Sequence, residues 1–391
     1  MKKFLFGISM LVLITGCEGF FGKKTELDFI EPPEFQLRDI AYVPIQPALT
    51  QFVRPVDILT GFDELIYVVD EGSEEIISLD ESGRELGRFK VQGVTSVVQD
   101  RRFNLLAIGT KTVTISDSVN FDVACIYRIS LHGDVAYGIK QAKIINEVVH
   151  PFYYKSTFSS TDPDVKFNRI GVLADNRYYV TRNGIGGNTF DGPDDAILLF
   201  SPEDEFLTPV AVSSNGALFR DYFKKPYCVL TTVQPPQIFA NGGNDFLFSS
   251  ISPEGVIKVQ YIEFIETEFG ATYEPRILSV DEDEADGFLT FPYRFDEPMG
   301  MALTGDGTNH IFVTDAGKDS LFLFSLNGYE GVKPPPGYST NRYINVSFGG
   351  TGTGLTQFND PRGVAYKRRV VYVADAGNGR VLRFKLTSDF E

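Results

Sequence analysis

The sequence has no tryptophan, three cysteines, three histidines and four methionines in 391 residues. So few cysteines exclude a disulfide-stapled scaffold. Cys125 and Cys228 stand in apolar surroundings, VACIYRI and PYCVLTTV, at no spacing that holds zinc or runs thiol exchange, and we read both as buried free thiols ahead of a disulfide between them. His132, His150 and His310 are too scattered for a conventional imidazole metal centre. Basic residues are also short: 36 Lys and Arg against 52 Asp and Glu give a net charge of −16. That balance excludes nucleic acid as a partner, because phosphate binding rests on clustered cations. Neither a G-x-S-x-G elbow nor an H-E-x-x-H helix is present. Helical periodicity is nearly absent, and only GALFRDYFKK (216–225) reads as a short surface helix.

The one marked apolar run opens the chain. In MKKFLFGISMLVLITGCEGF, Lys2 and Lys3 precede Phe4 to Ile14, which is too short to span a bilayer and has the layout of a secretory signal. Ile14-Thr15-Gly16-Cys17 resembles the bacterial lipobox. That resemblance implies cleavage after residue 16 and acylation of Cys17, with enough acyl chains for stable anchoring. The processed chain would carry a charge of −18. Residues 17–33 then read as a lipidated tether, and 34–391 as the folded part. Glu18 behind the acylated Cys points by analogy to the outer membrane of a bacterial envelope.

What fills residues 34–391 is a repeat. PRGVAYKRRVVYVADAGNGRVLRFKL (361–386), PMGMALTGDGTNHIFVTDAGKDSLFLFSL (298–326) and RPVDILTGFDELIYVVDEGSEEIISLDESG (54–83) share one order: Pro, short strand, turn, strand ending in Asp, Gly-containing turn, strand. Three weaker copies lie between, so six second strands end at Asp70, Gly109, Arg182, Ser250, Asp315 and Asp375. The first interval fits a four-stranded unit, and the longer ones require insertions. FGGTGTGLTQFNDPRGVAYKRRVVYVADAGNGRVLRF (348–384) resembles the NHL repeat, which implies a β-propeller. The expected fold is therefore all-β: a six-bladed propeller of four-stranded antiparallel blades. The last unit lacks a fourth strand, and FQLRDIAYVPI (35–45) is expected to supply it by pairing with RVLRFKL, closing the ring.

The glycines at 349, 350, 352 and 354 could suggest a phosphate cradle. No helix follows them, though, and no Lys-Ser or Lys-Thr, so they are expected to bend the chain between blades, with Phe358 plugging the gap. Asp70, Asp315 and Asp375 are expected to accept hydrogen bonds from their own turns. The insertions at 183–195, 213–236 and 281–298 are expected on the face shared by these Asp turns and the Pro connectors. There they would assemble Arg182, Phe190, Arg220, Tyr222, Phe291, Tyr293 and Phe295 into a recognition surface, or the aromatics among them would instead cap the ring's own core. DEDEADG (281–287) misses the EF-hand spacing, so no cofactor is expected, with calcium the only cation the run invites. Some propellers resembling this chain are amidating lyases, lactonases or streptogramin-cleaving lyases, which use histidines or a metal on one face. With its histidines scattered, the chain reads instead as a non-catalytic, envelope-anchored platform for a protein or glycan. The alternative is an envelope hydrolase or lyase with its site on the same face.

Overall fold

The computed structural model describes residues 39–115, 119–184, 194–233, 243–268 and 270–390. Cys17 and Phe190 lie outside them. β1 (Tyr42–Leu49) leads into blade 1, formed by β2 (Pro55–Thr60), β3 (Ile66–Asp70), β4 (Glu75–Leu79) and β5 (Glu85–Lys90). Blade 2 is β6 (Ser96–Gln99), β7 (Leu105–Ile115), β8 (Val119–Ser130) and β9 (Lys143–Val149). Blade 3 is β10 (Lys166–Val172), β11 (Tyr178–Asn183), β12 (Ala196–Phe200) and β13 (Phe206–Pro209). An outer hairpin, β14 (Val212–Ser214) and β15 (Ala217–Phe219), precedes β16 (Pro226–Thr231), β17 (Phe246–Ser250), β18 (Val259–Thr267) and β19 (Gly270–Pro275) of blade 4. Blade 5 is β20 (Pro298–Leu303), β21 (His310–Asp315), β22 (Ser320–Ser325) and β23 (Phe348–Gly349). Blade 6 is β24 (Pro361–Lys367), β25 (Val370–Asp375) and β26 (Arg380–Leu386), completed by β1. The fold is thus the expected six-bladed propeller, closed by its N-terminal strand in a register from Tyr42↔Leu386 to Leu49↔Val381.

The core is a ring of six clusters, one in each gap between neighbouring blades. Strands such as VVYVAD and SLFLFS supply it because β-branched and aromatic side chains on both sheet faces meet a neighbour. Phe358 is fully buried between blades 5 and 6, with its ring 5.9 Å from that of Phe384, and burying a Phe completely stabilises by about 2–3 kcal/mol. Hydroxyls near the ends of second strands tie consecutive blades together: Thr181 donates to the Tyr227 carbonyl, Ser249 to Pro298 and Thr314 to Arg362.

The glycine loop ahead of Phe358 turns its carbonyls inward. Those of Thr353, Gly354 and Gln357 accept from the Arg380 guanidinium, and that of Gly352 from Asn378. It therefore gathers a cation, the opposite polarity to a phosphate cradle. Gly349, Gly350 and Gly352 have φ of 153°, 118° and 157°, which the bend requires.

Two local expectations are corrected. Residues 216–225 form no helix, because Ala217–Phe219 pairs antiparallel with Val212–Ser214 at the rim of blade 4. Residues 281–290 are not confined to the connector face. Tyr343 N donates to the Glu284 carbonyl, Glu330 N to Gly287 and Leu289 N to Gly328, which dock this segment on the insertion after β22 at the opposite face.

Candidate functional site

Each strong unit ends its second strand in a buried Asp, and that carboxylate does more than close its own turn. Asp70 accepts from Val53 N (2.9 Å) and Arg54 N (2.7 Å), on the connector leading into the same blade. Asp315 accepts from Asp296 N and Glu297 N, and also from Gly317 N and Lys318 N of its own turn. Asp375 accepts from Asn359 N, Asn378 and Arg380, and burial pushes its carboxyl up. These aspartates are clamps that fix the start of each inner strand. Asp195, just ahead of β12 in blade 3, reaches the next blade instead, holding Lys225 N just before Pro226 of β16.

The residues expected to form a recognition surface do not come together as one. Arg182 is buried, donating to the Asp194 carbonyl, and Phe295 is buried against Phe322 and Phe324. Tyr222 is half-buried, with its hydroxyl on Gln260. Phe291 packs on Phe288 at 4.8 Å and is partly covered. Only Tyr293 (73% exposed) and Arg220 face outward among the described members of the set. A sequence window cannot separate an aromatic that caps a surface from one that fills a gap between blades.

The central channel is closed from within. Arg169, on β10, is buried and reaches across the axis: Nη1 donates to the Thr95 carbonyl (2.9 Å), and Nη2 to those of Val56 (2.9 Å) and Arg362 (3.1 Å). Asp57 pairs with it at 3.0 Å and accepts from the Val97 amide. Burial is the largest influence on Arg169 and opposes its charge, but Asp57, together with Tyr227, Cys228 and Glu71, holds the guanidinium more firmly protonated than usual. Burial pushes the Cys228 thiol nearby up to about 12, so it is no nucleophile. The inner strands approach so closely here that a Cβ on Gly363 would stand 2.8 Å from Asp57 Cα. The space left along the channel is about 70 Å³, room for water but not for a substrate.

A larger cavity, about 370 Å³, opens between blades 5 and 6 on the face opposite the Asp turns. Its walls come from chain-distant places: Tyr42 on β1, Asp306 in the β20–β21 turn, His310 at the head of β21, Lys333 in the insertion after β22, Tyr366 on β24 and Asp389 past β26. Asp306 is fully engaged, accepting from the Thr308 amide and hydroxyl on one oxygen and from Tyr366 Oη at 2.5 Å on the other. Burial alone would raise its pKa, but these donors hold it below the usual carboxylate range. Burial lowers the pKa of His310, against Asp306, so the imidazole is neutral at pH 7, and its ring nitrogens have no hydrogen-bond partner among the described residues. Burial and the carboxylates of Asp389 and Asp306 raise that of Tyr42, whose hydroxyl also has no partner among them. A neutral base and a protonated phenol thus line one cavity beside an ionised carboxylate. The sequence alone sets His310 aside as one of three scattered histidines, and its neighbours carry no local motif that would have flagged it.

Residues 358–384 match the NHL repeat family. The propeller therefore contains one NHL repeat. No curated protein sequence matches the chain significantly. Among solved structures it is similar to a virginiamycin B lyase from Staphylococcus aureus (11% identity, covering 89% of this chain and 99% of that one, TM-score 0.45). It is also similar to a PQQ-bound aldose sugar dehydrogenase from Streptomyces coelicolor (12%, 89% and 98%, TM-score 0.50). A third is an auxiliary nutrient binding protein from Bacteroides thetaiotaomicron (11%, 90% and 77%, TM-score 0.53). At these identities the likeness is one of fold. It nevertheless corrects the expectation of a non-catalytic binding platform, since a propeller of this shape serves as a dehydrogenase. Missing chain-local motifs were poor grounds for that expectation, because a ring assembles a site from residues of different blades.

Proposed function

We propose that the protein is a lyase-type acid–base enzyme whose site is the cavity between blades 5 and 6. The observation that carries this is the neutral His310 imidazole and the protonated Tyr42 hydroxyl, both unpartnered among the described residues, in one cavity of substrate size. His310 serves as the base and Tyr42 as the acid toward the leaving oxygen. Asp306 holds the Tyr366 hydroxyl and so fixes one wall. Glycoside hydrolysis fits less well, because it needs two available carboxyls, one of them a proton donor. Asp306 is saturated and kept ionised, and Asp389 is 3.5 Å from Arg369. Tyrosine walls among hydroxyls and charges suit a polyhydroxylated ring.

The test is to incubate the protein with a panel of soluble oligosaccharides and weigh the products by mass spectrometry. Elimination gives products whose masses sum to that of the substrate, whereas hydrolysis adds one water. His310→Gln is expected to lower turnover by a factor of about 10² or more with the melting temperature unchanged. Equal turnover by wild type and H310Q across the panel would remove the assignment. The same reading holds the protein at a bacterial envelope through acylated Cys17, for which the mass of the N-terminal peptide is the check. Among the described residues no helix is long and apolar enough to cross a membrane.

A further inference from the structure

We infer that the substrate carries a carboxylate on the carbon that loses its proton, as a hexuronic acid unit does, and that Lys333 receives it; this rests on the lyase reading above. Elimination by a neutral imidazole needs a C–H already acidified and a cation to take the charge that develops when the proton leaves. The charges around the cavity supply that cation. Asp306 spends its charge on hydroxyl and amide donors, and Asp389 lies against Arg369. The Lys333 ammonium has no carboxylate partner among the described residues and stands 5.7 Å from the centre of the Tyr343 ring. In a chain of net charge −16, an ammonium left uncompensated at a cavity wall selects for an anion.

The step balances without oxidant, reductant or water. His310 takes the proton from the carbon bearing the carboxylate, and the C–H electron pair becomes the new C=C bond. The C–O bond at the neighbouring carbon breaks, and Tyr42 gives its hydroxyl proton to the departing oxygen. Lys333 holds the negative charge that gathers on the carboxylate oxygens. Transfer of the proton from His310 to the Tyr42 phenolate, directly or through solvent, resets the site.

Titrating the full chain with D-glucuronate and D-glucose by NMR tests the inference. Glucuronate is expected to bind about tenfold or more tightly, as a charge-assisted contact requires. Lys333→Met is expected to erase that preference while leaving the melting temperature and glucose binding alone. Equal affinities, or a preference that survives K333M, would overturn it. A parallel incubation with a uronate oligosaccharide reads the ultraviolet absorbance of the conjugated enoate product. Uronate preference through Lys333 without that absorbance would sink the lyase reading while the carboxylate seat stands. His310-dependent elimination on a neutral substrate would do the reverse.

Discussion

The buried Arg169–Asp57 pair gives the sharpest stability prediction. Arg169→Met keeps much of the side-chain volume but removes four interactions at once: the ion pair and donors to three carbonyls on blades 1, 2 and 6. The largest loss is the Asp57 charge left uncompensated in the channel, and breaking a buried pair from one side costs about 3–5 kcal/mol. The 70 Å³ of adjoining space admits water, which softens the loss of the carbonyl donors, so about 4 kcal/mol is expected for R169M in total. Asp57→Asn should cost about the same, because it leaves the guanidinium unpaired instead. The double variant removes both charges and should cost only about 1–2 kcal/mol, so the two losses are far from additive. Urea denaturation of the four proteins, followed by tyrosine fluorescence and circular dichroism, completes the cycle, with a common m value as the condition for comparing midpoints. If R169M lies within about 1 kcal/mol of wild type, or the double variant loses the sum of the single ones, the pair does not staple the ring.

Two further outcomes follow from groups away from the proposed site. His150 is fully buried beside Asp162, and burial, then the charge of Arg182, bring its pKa down to about 4. Because the folded value lies below the ordinary value of about 6.5, the unfolded chain takes up the proton first. The contribution is complete above about pH 6.5 and about 3 kcal/mol of it is lost as the pH falls to 4, so His150→Phe should flatten the urea midpoint over that window, and an unchanged slope would contradict the assignment. Asp315→Ala strips the acceptor from four backbone amides and should destabilise by about 2–4 kcal/mol in the same assay, while a loss under about 1 kcal/mol would mean the clamp is dispensable.

What could be read from the sequence was what is local in the chain. Asp-Ala-Gly turns, Pro at strand starts and aromatic strands recur within each strong unit, so the six blades and the closing role of β1 followed from counting strands. The clamp by Asp70 on Val53 and Arg54 was half visible, since every strong unit keeps its Pro a similar distance before its Asp. The channel staple was not: nothing around Arg169 in KFNRIGV says that its guanidinium crosses the axis to three other blades. The cavity was further out of reach, because Tyr42, His310 and Lys333 are brought together only when the ring is closed. Alternation also misled locally, since GALFR has apolar spacing short enough to pass for a helix and pairs as a hairpin instead.

Tyr42 sits on the strand that zips the ring, and Asp389 lies just past the strand it zips against, so the seam and the cavity are one object. Residues through 389 must be in place before the first strand has its partner, and until then the proposed base on β21 faces an unfinished wall. The proposed activity should therefore appear only once the ring closes, and vanish with any cut that lets the first strand peel away, even with the other five sheets intact.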